Sequence, residues 1–259
     1  MDNQTTLIRR IRPEEGQTLR EVRFRMLTES PNAFGVPLAM IQAMTDEQWT
    51  ASATHLSSAP SGAYFFAEID GEVCGTVECE ACPPLVLTRD QALILARAVN
   101  GAAPAPHELT VLGMRYAGAA QQLLSVGAMN SLGLIMTLGR TGLGFFDMLR
   151  VGTLAYGPVD PADTAPMSER DTLIPPQTAY ISAMWVSPEA RGRGIGAQLL
   201  DGALGFARAA GIRHIILFVT ETQTAARALY ERHGFAATSY RMRFPPNPAL
   251  WLLGMLREL

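Results

Sequence analysis

The stretch from Val186 to Leu200, VSPEARGRGIGAQLL, ends an apolar run at Ser187-Pro188 and places Gly192, Gly194 and Gly196 ahead of a helical pattern. A helix start carries N–H groups without intrahelical partners and a partial positive charge, so it attracts anions. Glycines just before it remove Cβ atoms and let a phosphate approach the backbone. The chemistry this spacing suits is the holding of a phosphate-bearing ligand. Two common phosphate loops do not fit. A P-loop needs Lys and then Ser or Thr after its glycines, and here Gly196 is followed by Ala197-Gln198. A dinucleotide fingerprint needs G-x-G-x-x-G at the first strand of its unit, whereas G-x-G-x-G-A lies far along this chain. A flexible strand-to-helix turn with no ligand is the remaining alternative.

The cysteines point elsewhere. Cys79 and Cys82 form a C-x-x-C, but no second pair and no His-x-x-x-His follows, so no metal site is expected. With Cys74 the count is odd, and the first residues lack the basic-then-apolar layout of a signal peptide, so a reducing cytoplasm is the expected setting. The 259 residues carry a net charge of −3, with an isoelectric point near 5.8. That balance gives no electrostatic footprint for nucleic acid or an anionic membrane surface.

Around the loop, the elements that must position it are regular. Residues 7–11 read as a strand, followed by a helix opened by Pro13-Glu14-Glu15 with Leu19, Val22, Met26 and Leu27 on one face. SPNAFG (30–35) breaks it, and a second amphipathic helix is expected over 38–55. Strands over 64–69 and 73–79 flank the hairpin signal Asp70-Gly71. Further on, 178–186 reads as a strand, 194–210 as a helix, and 212–219 as a strand buried on both faces. A last helix runs to His233 with Gly234 as its cap, and strands are expected over 235–244 and 250–256. Residues 80–177 differ in texture. Thr88 to Asn100 looks helical, Tyr116 to Gly139 is uncharged and rich in Ala, Gly, Leu and Met, and 158–177 reads as a proline-rich exposed loop. Gln121, Gln122, Asn130 and Ser131 dilute the uncharged run too far for a membrane span.

At this point the residues resemble a family. Val186-x-x-x-x-Arg191-Gly192-x-Gly194-x-Gly196 is similar to the coenzyme A motif of the GNAT superfamily of N-acetyltransferases. AARALYERHGF (225–235) resembles the family's A-x-x-L-Y-x-x-x-G-F segment through Ala226, Leu229, Tyr230, Gly234 and Phe235. LREVRFRMLTESPNAFG (19–35) resembles the first helix and its turn, and NPALWLLGMLREL (247–259) the last strand. The resemblance implies an α/β fold of the acyl-CoA N-acyltransferase type: a mixed central sheet, splayed between its fourth and fifth strands and flanked by helices. It implies one such domain over 1–259, with 80–177 a largely helical insertion longer than the usual connection.

It also implies acetyl-CoA as cosubstrate, without a metal. The pyrophosphate would meet Arg191, Gly192, Arg193, Gly194, Ile195, Gly196 and Ala197, and the pantetheine arm would pair along Met184 to Val186. Gln223 stands where the family usually has Asn, beside Ala226. Tyr230 matches the family's tyrosine acid, the proton donor to the departing thiolate. Many relatives place a glutamate on the fourth strand, but TAYISAMWV contains no carboxylate. Glu78 and Glu80, pointing the same way on the third strand, are candidate bases; a water ordered by Tyr180 or Ser182 is another, and His107 and His233 could titrate near neutrality. The expected function is acetyl transfer to a primary amine, most simply of a small molecule, within a ternary complex. Transfer of a longer acyl group and a silent acyl-CoA-binding module are the alternatives. The apolar part of the insertion, with Phe145, Phe146, Met148 and Leu149, reads as a lid, a homodimer surface or extra core.

Overall fold

The computed structural model describes residues 5–36, 38–82, 88–99, 102–126, 177–244, 247 and 249–259. The chain divides into two compact units: residues 1–82, 177–237 and 255–259, and residues 83–176 with 238–254. The expected lid or dimer residues 145–149 and most of the proline-rich loop lie outside the described residues.

In the first unit, β1 (Leu7–Arg10), β2 (Gly62–Ile69), β3 (Glu72–Ala81) and β4 (Thr178–Val186) pair antiparallel in sequence order. β5 (His214–Thr220) then joins β4 in parallel. Among the described residues, β6 (Ala236–Arg243) and β7 (Trp251–Glu258) bring the sheet to seven strands in the order β1-β2-β3-β4-β5-β7-β6. The β2–β3 hairpin turns through Asp70 and Gly71, both left-handed with φ of 54° and 84°, the geometry of the tight hairpin turn that such a pair favours.

One face of β2–β4 is covered by α1 (Gly16–Glu29), α2 (Leu38–Gln42) and α3 (Asp46–Ser58). Leu19, Val22, Met26 and Leu27 of α1 are buried as their spacing predicts, in a core with Trp49, Tyr64, Phe66, Ala183 and Trp185. The single helix expected over 38–55 is two. Thr45 starts a new one, accepting from the Gln48 N–H while the Gln48 side chain accepts from the Thr45 N–H. This reciprocal cap satisfies donors that a continuous helix would have used internally. The other face of the sheet is covered by α6 (Ile195–Ala209), whose buried row Ile195, Leu199, Leu200, Ala203, Leu204 and Ala207 is the apolar stripe read from the sequence. Gly75 makes this contact possible, because a Cβ there would lie 3.0 Å from both Leu199 Cδ1 and the Trp185 carbonyl. After β5 comes α7 (Thr224–Arg232), ended by left-handed Gly234 at φ 80°.

In the second unit, α4 (Arg89–Val99) and α5 (Pro106–Val126) pack together. Gln91 Nε2 donates to the Val111 carbonyl at 3.0 Å and Arg97 pairs with Glu108. Within α5, Gly113 breaks the helical path at φ 63° and ψ 173°. Among the described residues no helix is long and apolar enough to cross a membrane.

Candidate active site

β4 and β5 are registered only from Thr178↔His214 to Ile181↔Leu217. Beyond Ile181, β4 runs on to Val186 and β5 to Thr220 without register partners between them. The departure begins where β4 carries an extra residue. Against β3, Ser182 faces Glu78 and Trp185 faces Thr76, so one position on β3 is opposed by two on β4, which is a β-bulge. Ala183 sits in it at φ 50°, a left-handed conformation that costs a non-glycine residue roughly 1–2 kcal/mol. The Thr76 hydroxyl donates to the Ala183 carbonyl at 2.7 Å, and Thr76 is fully buried.

The bulge also switches the faces of the strand. Ser182 and Trp185 share the α1 face with their partners Glu78 and Thr76, whereas Met184 and Val186 turn to the α6 face. A Cβ on Gly196 would lie 3.6 Å from Met184 Cε, 3.9 Å from Val186 Cγ2 and 3.2 Å from Leu229 Cδ2. Around Gly196, then, the start of α6, the far half of β4 and α7 converge, one residue before Tyr230. The three glycines have different reasons to be glycine. Gly192 and Gly194 both take φ 77° with open space where a Cβ would go, so they serve a left-handed backbone; Gly196 serves close packing. Gly194 is the N-cap of α6, and no side chain caps that end. The Arg191 guanidinium is turned back, donating through Nε to the Val186 carbonyl at 3.0 Å. Arg193 and Ala197 lie beside these residues, exposed and half-buried. Gln223 is the N-cap of α7 and makes no side-chain cap, and Ala226 is half-buried in its first turn.

On the α1 face, cross-strand rows place Tyr64, Glu78 and Ser182 abreast, and Gly62, Glu80 and Tyr180 in the next row. Glu78 Oε2 accepts from Ser182 Oγ at 3.1 Å and from Arg23 of α1 at 3.2 Å, and the Arg23 guanidinium lies 5.2 Å from the Tyr64 ring centre. Glu80, at the exposed end of β3, is pushed up from the usual carboxylate range by partial desolvation and by the Glu78 charge. Cys79 between them is fully buried on the opposite face, and burial pushes its thiol up to about 12. The Tyr180 ring packs 5.9 Å from that of Phe218. Burial raises the Tyr180 phenol first, then the charge of Glu78 and the nearby Tyr230 phenol. Tyr230 is buried against Phe235, ring centres 5.9 Å apart, and burial holds its phenol protonated well above the free value. His233 ends α7 with Nδ1 2.8 Å from the Leu229 carbonyl, a helix-end contact, and exposed His107 lies on α5 of the second unit. No group of three or more His, Cys, Asp or Glu with metal-holding geometry occurs among the described residues.

The model of the acetyltransferase (GNAT) family matches residues 150–235, which include β4, the glycine loop, α6, β5 and α7. Over those residues the chain is similar to the GNAT acetyltransferases. Its fold is shared with an acetyltransferase of the GNAT family from Streptococcus pneumoniae (TM-score 0.52, 14% identity, 98% of this chain and 100% of that one covered). It is also shared with yncA of Salmonella typhimurium, solved with its cofactor acetyl-CoA (TM-score 0.55, 12% identity, 98% and 94% covered). Among curated proteins, the mycothiol acetyltransferase of Geodermatophilus obscurus is 39% identical over 61 residues, 24% of this chain and 20% of that protein. The mycothiol acetyltransferase of Beutenbergia cavernae is 39% identical over 67 residues, 26% and 23% respectively. The chain therefore spans about a fifth of the length of the curated relatives it matches.

The glycine loop, the far half of β4 and the helix bearing Tyr230 come together around Gly196. Glu78 and Glu80 share a face as expected, but on the α1 side. Sequence reasoning missed Thr76, Arg23 and Tyr64. Alternation puts Thr76 on the Glu78 face, yet its partner is the carbonyl of a bulged alanine that no residue type announces.

Proposed function

We propose that the chain transfers an acetyl group from acetyl-CoA to the primary amine of a small molecule, both bound at once. The observation that carries this reading is the convergence of the uncapped start of α6, the unpaired reach of β4 and the Tyr230 helix around Gly196. In it the pyrophosphate of coenzyme A rests on the N–H groups from Arg191 to Ala197, and the pantetheine arm runs along Met184 to Val186 with Gln223 and Ala226 beside it. The mycothiol acetyltransferase matches support a small-molecule acceptor.

The amine nitrogen attacks the thioester carbonyl carbon, the C–N bond forms and the C–S bond breaks. A backbone N–H of β4 stabilises the oxygen as charge develops. The amine's proton leaves to Glu80, whose carboxyl is raised by partial burial and by the Glu78 charge, and the departing thiolate takes its proton from Tyr230. Glu78, already bonded to Arg23 and Ser182, orders the strand beside the acceptor rather than taking the proton.

The test is free-thiol release from acetyl-CoA against a panel of amines, alongside calorimetric titration of the cosubstrate. Acceptor-dependent release is expected, with Tyr230→Phe lowering kcat about 10²-fold or more while coenzyme A affinity stays near wild type. Tight binding without release across amines and acyl chain lengths would favour a silent acyl-CoA-binding module. A failure to bind coenzyme A would overturn the reading.

A further inference from the structure

We infer that Thr76 is a positioning residue: by holding the Ala183 carbonyl it aims the β4 main-chain N–H of the proposed transferase site, here that of Met184. The inference rests on the acetyl-CoA reading above and adds a residue no motif marks. Ala183 and Met184 have no register partner on β3 or β5. A peptide at a bulge is therefore not oriented by a ladder, and something else must fix its plane. Thr76 does so, its buried hydroxyl donating to the Ala183 carbonyl at 2.7 Å. In a trans peptide the C=O and the following N–H point in opposite directions. Holding the Ala183 oxygen on Thr76 therefore turns the Met184 N–H away from Thr76, and no cis peptide interrupts this relation. β5 has already left the ladder at Leu217, so the donor faces the opening.

The neighbouring contact reinforces the arrangement. Glu78, anchored by Arg23, accepts from the hydroxyl of Ser182, the residue just before the bulge. Two bonds from β3 thus grip β4 on consecutive residues, and the left-handed φ of Ala183 is held between them. Without the Thr76 hydroxyl the alanine would relax towards an ordinary β conformation, swinging the Met184 N–H away from the thioester oxygen while leaving the glycine loop untouched.

The test needs no acceptor. Infrared difference spectra of acetyl-CoA labelled with ¹³C at the thioester carbonyl are recorded on wild type, Thr76→Val, Thr76→Ser and the double variant Thr76→Val/Ala183→Gly. Coenzyme A affinity is measured on the same samples by calorimetry. Wild type is expected to lower the carbonyl frequency of the bound thioester. Thr76→Val should lose most of that shift with unchanged affinity, Thr76→Ser should keep it, and the double variant should recover part of it, because glycine adopts φ near 50° freely. With an acceptor that turns over, Thr76→Val should lower kcat by up to about 100-fold with little change in the KM for acetyl-CoA. A full carbonyl shift in a folded Thr76→Val, or its loss in Thr76→Ser, would overturn the assignment. Should Thr76→Val not fold, loss of the shift in Thr76→Ser would still overturn it. If wild type binds acetyl-CoA with an unshifted carbonyl, the donor assignment fails and the cosubstrate stands; if it binds none, the proposed function itself fails.

Discussion

Glu78 and Glu80 lie two residues apart on one face of β3, and their surroundings differ. Glu78 is bonded twice, whereas Glu80 has a carboxyl raised by desolvation and by Glu78. A base must be ionised, so the acid limb of the kcat/KM profile should follow Glu80 and fall above the ordinary glutamate value. Glu80→Gln should remove that limb and lower kcat about 10²-fold; an unchanged limb would return the role to an ordered water. The stability effect has the opposite sense. A carboxyl whose folded pKa is raised favours the neutral form in the fold, so its stabilisation is present at low pH and is lost as pH rises through the folded value. At neutral pH, Glu80→Gln should raise stability by a few tenths of a kcal/mol at this exposed position, measured by thermal melting. Tyr230 and the glycine loop were legible because their types and spacing are distinctive. The grip of Thr76, Glu78 and Arg23 on β4 was not, since it depends on a register shift at an alanine.

At the scale of elements, β4 was legible to the residue because its apolar alternation stops at Ser187-Pro188. The α2–α3 break was missed because the cap at Thr45 is polar and local, inside a run whose apolar spacing continues past it. The loop into α6 sets two predictions apart. Gly194→Val would place a β-branched residue at φ 77°, a strained conformation, and reshape the first turn. Coenzyme A affinity should be lost with the fold intact by circular dichroism; retained affinity would refute the phosphate-loop assignment. Gly75→Ala should act on packing instead. Its Cβ would meet Leu199 Cδ1 and the Trp185 carbonyl at 3.0 Å, so α6 must shift from the sheet at a cost of about 1–3 kcal/mol, read by denaturant unfolding.

Across the whole molecule, the start of the chain is tied to the sheet by charge. Arg9 of β1 bonds Glu15, ahead of α1, through two nitrogens, and also pairs with Glu68 of β2; the Arg9 and Glu68 side chains are each only 13% exposed. Burial alone would raise Glu15, but the Arg9 and Arg12 contacts outweigh it and hold the carboxyl below its usual range. A depressed carboxyl contributes stability above its unfolded pKa and loses it as pH falls through the folded value. Arg9→Leu should therefore cost about 3 kcal/mol near neutrality, where it strands two carboxylates. The penalty should shrink in acid; a penalty that does not vary with pH would mean that lost packing, not charge, is responsible. The individual strands and helices of 7–79 and 178–256 were read from periodicity, whereas their assembly into one mixed sheet came from the family resemblance; the helical reading of 127–176 lies outside the described residues.

The groups that would hold coenzyme A and meet its carbonyl are, for the most part, N–H groups of the main chain: those at the start of α6 and that of Met184. A peptide group has the same chemistry whatever side chain it bears. Selection acting on such a site preserves the path of the backbone and leaves most side chains free to drift. The positions expected to resist exchange are those that shape the path itself, glycines at left-handed turns and a threonine behind a bulge, rather than residues that would touch the ligand.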